Sequence, residues 1–179
     1  MGIPTLIGSA HTASNATDVS ITSGIDSTYD EYMFVFTDIG PATDGEHFTF
    51  QCNAAGESGY NEIVQTTYFY ASHNEADSSA LVEYHDSYDQ ALGTGYQILA
   101  NTVGNGSDES SAGILHLFSP SSTTYVTHFY SKFSKYWASD YAQVDFISGY
   151  FNIAAAIDEI QFKMTSGNFD GVIQMYGIS

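Results

Sequence analysis

Two of the chain's three cations, Lys132 and Lys135, lie in the stretch YVTHFYSKFSKYWASDY (residues 125–141), beside the only tryptophan, Trp137. Ammonium groups set among rings can bind in several ways. Exposed Tyr136 and Trp137 would stack on a sugar face, since amphipathic rings serve recognition sites well. The same rings would anchor a subunit or partner contact, where Trp and Tyr are favoured. On an acidic molecule, Lys132 and Lys135 are natural counterparts for a neighbour's carboxylates. Plain core packing of the rings is the remaining reading. Lys132, Lys135, Tyr136 and Trp137 are therefore the candidate partner-binding residues. Read as extended chain, the stretch alternates His128, Tyr130 and Lys132 against Phe129, Ser131 and Phe133, and Ser134 to Trp137 is expected to turn it.

Other chemistry-bearing residues form weaker patterns. HNEAD sets His73, Glu75 and Asp77 at period-two spacing, and EYHDSYD offers Glu83, His85, Asp86 and Asp89. Neither has EF-hand spacing, so both read as solvated acidic loops. Calcium, a hard oxygen-bound cation, is the one candidate ligand because it would relieve crowded negative charge; no other metal or cofactor is expected. His11, His47, His116 and His128 read as hydrogen-bonded structural residues. The single cysteine, Cys52, excludes an internal disulfide and any multi-cysteine zinc site. It alternates with Phe48 and Phe50, which places it in a buried strand. No nucleophile elbow, P-loop, dinucleotide fingerprint or zinc-protease motif occurs, so no catalytic residues are assigned and an enzyme is not expected.

Charge narrows the partners. There are 21 Asp plus Glu against 3 Lys plus Arg, a formal net charge of −18, and every cation is a lysine. Without arginine the chain lacks the planar fork that grips phosphate and guanine edges, and nucleic acid is excluded as a direct partner. Anionic membrane surfaces are disfavoured by the same repulsion, and no apolar run of about 20 residues is present to form a spanning helix. The N-terminal stretch MGIPTLIGSAHTASNATD has no basic segment followed by an apolar one, so it does not read as a secretory signal.

The elements that must position these residues read as strands. From Tyr29 onward, short β-branched and aromatic runs alternate with turn formers such as Asp44-Gly45, Asn105-Gly106 and Gly167-Asn168. The fold expected is all-β, an antiparallel, jelly-roll-like β-sandwich of about ten strands spanning residues 29–179. DEIQFKMTS and VIQMYGIS, joined by GNFDG, read as a C-terminal hairpin. SSALVEYHDSYDQAL is the only stretch with any helical character. Residues 1–28 contain no aromatic residue, whereas the remainder contains all of them, so this segment is expected to be an arm or edge strand that docks on the domain or on a neighbour.

Three stretches, ITSGIDSTYDEYMFVFTDIGPATD, LFSPSSTTYVTHFYS and IQFKMTSGNFDGVIQMYGIS, resemble segments of small uncharacterised β-rich structural proteins of tailed phages, marine ones especially. The resemblance covers most of residues 20–178. It implies a virion component and supplies no catalytic residues. The expectation is a capsid decoration or cement protein on the capsid exterior, a homotrimer contacting itself and the major capsid protein. The alternative is a tail-fibre or tail-tip adhesin that binds host glycan.

Overall fold

Large apolar side chains at every second position set the strands of this protein. The computed structural model describes residues 2–179 and contains fourteen strands and no helix, so none of its elements could cross a membrane as a helix. The strands are β1 (Thr5–Leu6), β2 (His11–Ala16), β3 (Val19–Ile21), β4 (Glu31–Pro41), β5 (Glu46–Ala54), β6 (Val64–Asn74) and β7 (Ala80–Tyr84). There follow β8 (Ala91–Gly93), β9 (Gln97–Val103), β10 (Ser111–Phe118), β11 (Thr127–Trp137), β12 (Tyr141–Phe151), β13 (Ile157–Met164) and β14 (Phe169–Ile178).

All pairings are antiparallel. A larger layer runs β14-β4-β10-β11-β12-β6, with β1 and β2 on its β14 edge and β7 and β8 on its β6 edge. A smaller layer runs β9-β5-β13-β3. The two are joined into one curled sheet where β9 meets β11 through the pair Trp137↔Val103. Most connections carry the chain from one layer to the other, as a jelly-roll-like sandwich requires.

Rings fill the space between the layers. Phe36 of β4 meets Phe48 of β5, Phe133 of β11 and Phe162 of β13 at centroid distances of 5.5, 5.0 and 5.1 Å. Phe50 continues the stack against Phe129 and Phe151. Each such pair contributes about 0.5–1.5 kcal/mol beyond area burial. Cys52 lies in this core, and burial pushes its thiol pKa well up, which removes it as a nucleophile.

Three expectations change, and the segment 1–28, expected as an arm or edge strand, supplies edge strands. The strands number fourteen because short edge strands flank both layers. The C-terminal hairpin does not exist: β13 pairs with β5 and β3, whereas β14 pairs with β4, β2 and β1. The turn between them is an arch whose backbone bonds go to the neighbouring β4–β5 arch, through Ala42 N–H to Asn168 O at 2.8 Å and Thr165 N–H to His47 O at 2.9 Å. The stretch with helical character contains β7 and β8, paired to β6. Residues 1–28 supply β1, β2 and β3, which pair with β14 and β13 of the same molecule and bury Ala13, Ile21 and Ile25.

Candidate partner-binding face

β11 runs unbroken to Trp137, and the turn expected at Ser134 falls instead after it. Alternation therefore continues for two more residues. Lys132 points outward with His128, Tyr130 and Ser134, while Lys135 points inward with Phe129, Ser131 and Phe133. The four candidate residues thus part company.

Lys135 is a correction: its side chain is wholly buried and cannot reach a neighbour's carboxylate. Its Nζ lies 3.0 Å from Oδ2 of Asp145, a side chain equally closed to solvent, and it also donates to the backbone carbonyl of Asn101. Burial lowers the Lys135 pKa to about 8, against the opposing pull of Asp145. Oδ1 of Asp145 accepts from Gln143 Nε2 at 2.6 Å and from Asn101 Nδ2 at 3.3 Å, and that amide also donates to the Tyr68 hydroxyl at 2.7 Å. Strands β6, β9, β11 and β12 build this polar knot, and no sequence motif announces it.

Tyr136 is half-buried and donates to Asp140 at 3.0 Å, a bond that raises its pKa. Trp137 is half-buried against Tyr141, with centroids 4.5 Å apart, and its Nε1 is buried without a partner. These two rings pack locally instead of presenting an open stacking platform.

Lys132 alone of the four stands free, on the outer face of the larger layer. Register places it beside Ile114 and Val35 on one side and Phe146, Phe69 and Tyr84 on the other. Its ammonium lies 5.5 Å from the Phe146 ring centre. Phe146 in turn stacks on Phe69, centroids 4.9 Å apart and nearly parallel at 10°. The next row sets Tyr130 on His116 at 4.6 Å, with Phe118 beside both. Phe69 and Tyr130 are each 43% exposed and Val82 is 75% exposed.

Acids are scarce here. Among the outward positions of β4, β6, β10, β11 and β12, the carboxylates are Glu31, engaged by His116, and Asp38, exposed at the bulge near the end of β4. Other acids lie at the ends of strands, such as Asp77, Glu75 and Asp140. Within this face is an open cleft of about 410 Å³ whose lining includes Phe118, Tyr130, Tyr150, Thr67 and Ser148.

The two acidic loops do not assemble a metal site; among the described residues no group of three His, Cys, Asp or Glu side chains is placed to hold an ion. His73 pairs with Asp77 at 3.0 Å, Glu83 accepts from Tyr70 at 2.9 Å, and Asp89 accepts from Tyr84. No protein-family model, curated protein or solved structure matches this chain.

No local motif marks Tyr130, Phe146 and Phe69 as a unit. The signal available was the pairing of outward aromatic residues on TTYFYAS, AQVDFISGYF and TTYVTHFYS. Strand order, which local pattern does not contain, was needed to put them side by side.

Proposed function

We propose that this protein is a structural component of a phage virion, a decoration or cement protein that seats the outer face of its larger layer on a shell subunit. The observation that carries the reading is the near absence of carboxylates from a broad aromatic and aliphatic face on a chain of net charge −18. Acids elsewhere repel other anionic surfaces, so close approach is least opposed there. Exposed rings then bury area at about 25 cal/mol per Å² on contact. Lys132, the one free cation on those five strands, pairs with a carboxylate of the shell subunit and fixes register. The resemblance of the three sequence stretches to phage structural proteins supports the virion assignment. The exposed Leu81 and Val82 on edge strand β7 support self-association, with a homotrimer as the assembly proposed.

The test is to add purified protein to undecorated heads. Many copies per head and greater heat resistance of the particle are expected. Tyr130→Asp and Phe69→Asp should lower binding at least tenfold while the protein's own melting stays unchanged; retention of full binding by both variants overturns the reading.

One observation favours a second reading, glycan binding by a tail adhesin. The 410 Å³ cleft combines rings (Phe118, Tyr130, Tyr150) with hydroxyls (Thr67, Ser148), the pairing that sugar recognition uses. A glycan array separates the two: saturable binding to one glycan, lost in Tyr130→Ala, favours the adhesin.

A further inference from the structure

The knot around Lys135 contains more than an ion pair. One carboxylate, Asp145, touches two groups that could react with each other. Its Oδ2 lies 3.0 Å from the Lys135 amine, and its Oδ1 lies 3.3 Å from the side-chain amide nitrogen of Asn101. Lys135 already contacts Asn101 through the latter's own backbone carbonyl. Asn101 and Asp145 are both buried, and Gln143 and Tyr68 hold the carboxylate and the amide in place. Thr102, next in the chain, sits at φ 43, a left-handed backbone that a β-branched residue rarely adopts. Such strain persists where surroundings over-determine it, and it clusters at functional sites.

We infer that Lys135 and Asn101 join in an intramolecular amide cross-link between β11 and β9, with Asp145 as the proton relay. The ion pair first passes a proton from Nζ to Asp145, which leaves a neutral amine. The amine attacks Cγ of Asn101, and a new Cγ–Nζ bond forms. Asp145 gives its proton to Nδ2 and takes one from Nζ. The Cγ–Nδ2 bond breaks and ammonia departs, carrying away the last proton as ammonium and leaving Asp145 ionised. No oxidant, metal or cofactor enters the balance.

Three features favour the step. Burial lowers the Lys135 pKa to about 8, which lowers the cost of reaching the neutral amine near physiological pH. Fixed neighbours replace a bimolecular encounter, and well-oriented intramolecular reactions reach effective molarities of about 10⁵–10⁸ M. Exclusion of water suppresses competing hydrolysis of the amide. The location also has a mechanical sense, because β9 and β11 form the seam where the two layers join through the single pair Trp137↔Val103.

The test is denaturing intact-mass spectrometry of the full-length protein, followed by peptide mapping with a protease that cuts at Glu and Asp. The expected mass is lower than the sequence requires by one ammonia, and a branched peptide joins the fragments bearing Lys135 and Asn101. Asp145→Asn, if it folds, should have the full mass. Full mass in the wild-type protein overturns the proposal. So does an ammonia loss confined to Asn105-Gly106, where a cyclic imide forms, and so does a water loss with Lys135 joined to Asp145.

Discussion

Lys132 and Lys135 leave the same strand on opposite sides, and their surroundings share nothing but the need to hold a cation. Lys132 is exposed and stands over the Phe146 ring, among half-buried and exposed side chains of the outer face that stack on one another. Lys135 has no solvent at all and depends on Asp145, Asn101 and Gln143 for its place. One side of β11 is therefore committed to the fold, and the other is free for a neighbour. Composition could not separate the two lysines, whereas strand parity does.

The difference can be attacked from the inside first. Asp145→Ala removes the relay for the proposed cross-link and leaves the Lys135 ammonium buried without its partner, and removing one partner of a buried pair costs about 3–5 kcal/mol. Urea unfolding should record that loss; a change below about 1 kcal/mol would mean the interior side is not committed to the fold. Ile21→Ala comes next. It truncates a buried side chain of β3, in the segment expected as an arm or edge strand, and should cost about 2–4 kcal/mol in the same assay. A near-zero result would return residues 1–28 to the status of a detachable arm.

A smaller effect should come from His47, at the margin of the interior. Its Nδ1 accepts the Thr102 N–H at 2.7 Å, and burial, helped by the Lys135 charge, lowers its pKa below 6.5. The folded protein then binds fewer protons than the unfolded chain just below pH 6.5, so stability is complete above that value. It is lost as pH falls through the folded-state pKa. Melting curves between pH 7 and pH 5 should show the decline, and His47→Gln should flatten that part of it.

The smallest change belongs to the outside. Lys132→Met should move stability by no more than about 0.5 kcal/mol, as exposed substitutions do. A loss equal to that of Asp145→Ala would erase the contrast between the two sides. Sodium chloride sharpens the picture, since raising it from 0.1 to 1 M shrinks the Debye length from about 10 to about 3 Å. The melting temperature should rise as acids at strand ends and in loops are screened, and a value indifferent to salt would contradict this.

Much of the sandwich was legible from local pattern. Phe48, Phe50 and Cys52 alternate with polar neighbours and are buried, and Phe129, Ser131 and Phe133 fall inside as their spacing requires. The same spacing carries Lys135 inside, because β11 continues past Ser134 to Trp137 with no turn. The knot was hidden for a different reason, because Tyr68, Asn101, Lys135 and Asp145 meet only through strand order. The C-terminal arch failed similarly. GNFDG has the residues of a hairpin turn, but Asn168 accepts from Ala42 of the other arch, and a distant segment decides that. Turn chemistry specifies a reversal of the chain, not the layer in which it lands.

The position of β14 has consequences for how the protein is made. This last strand lies between β4 on one side and β1 and β2 on the other, so the first and final parts of the chain must meet before the larger layer is whole. A ribosome releasing the chain from its N-terminus leaves the β4 edge, with Phe34 and Phe36, unmatched until Phe169–Ile178 has been made. Topologies of this kind fold slowly and expose adhesive intermediates. Chains halted short of Phe169 would therefore aggregate or be degraded, and only copies that include β14 would accumulate.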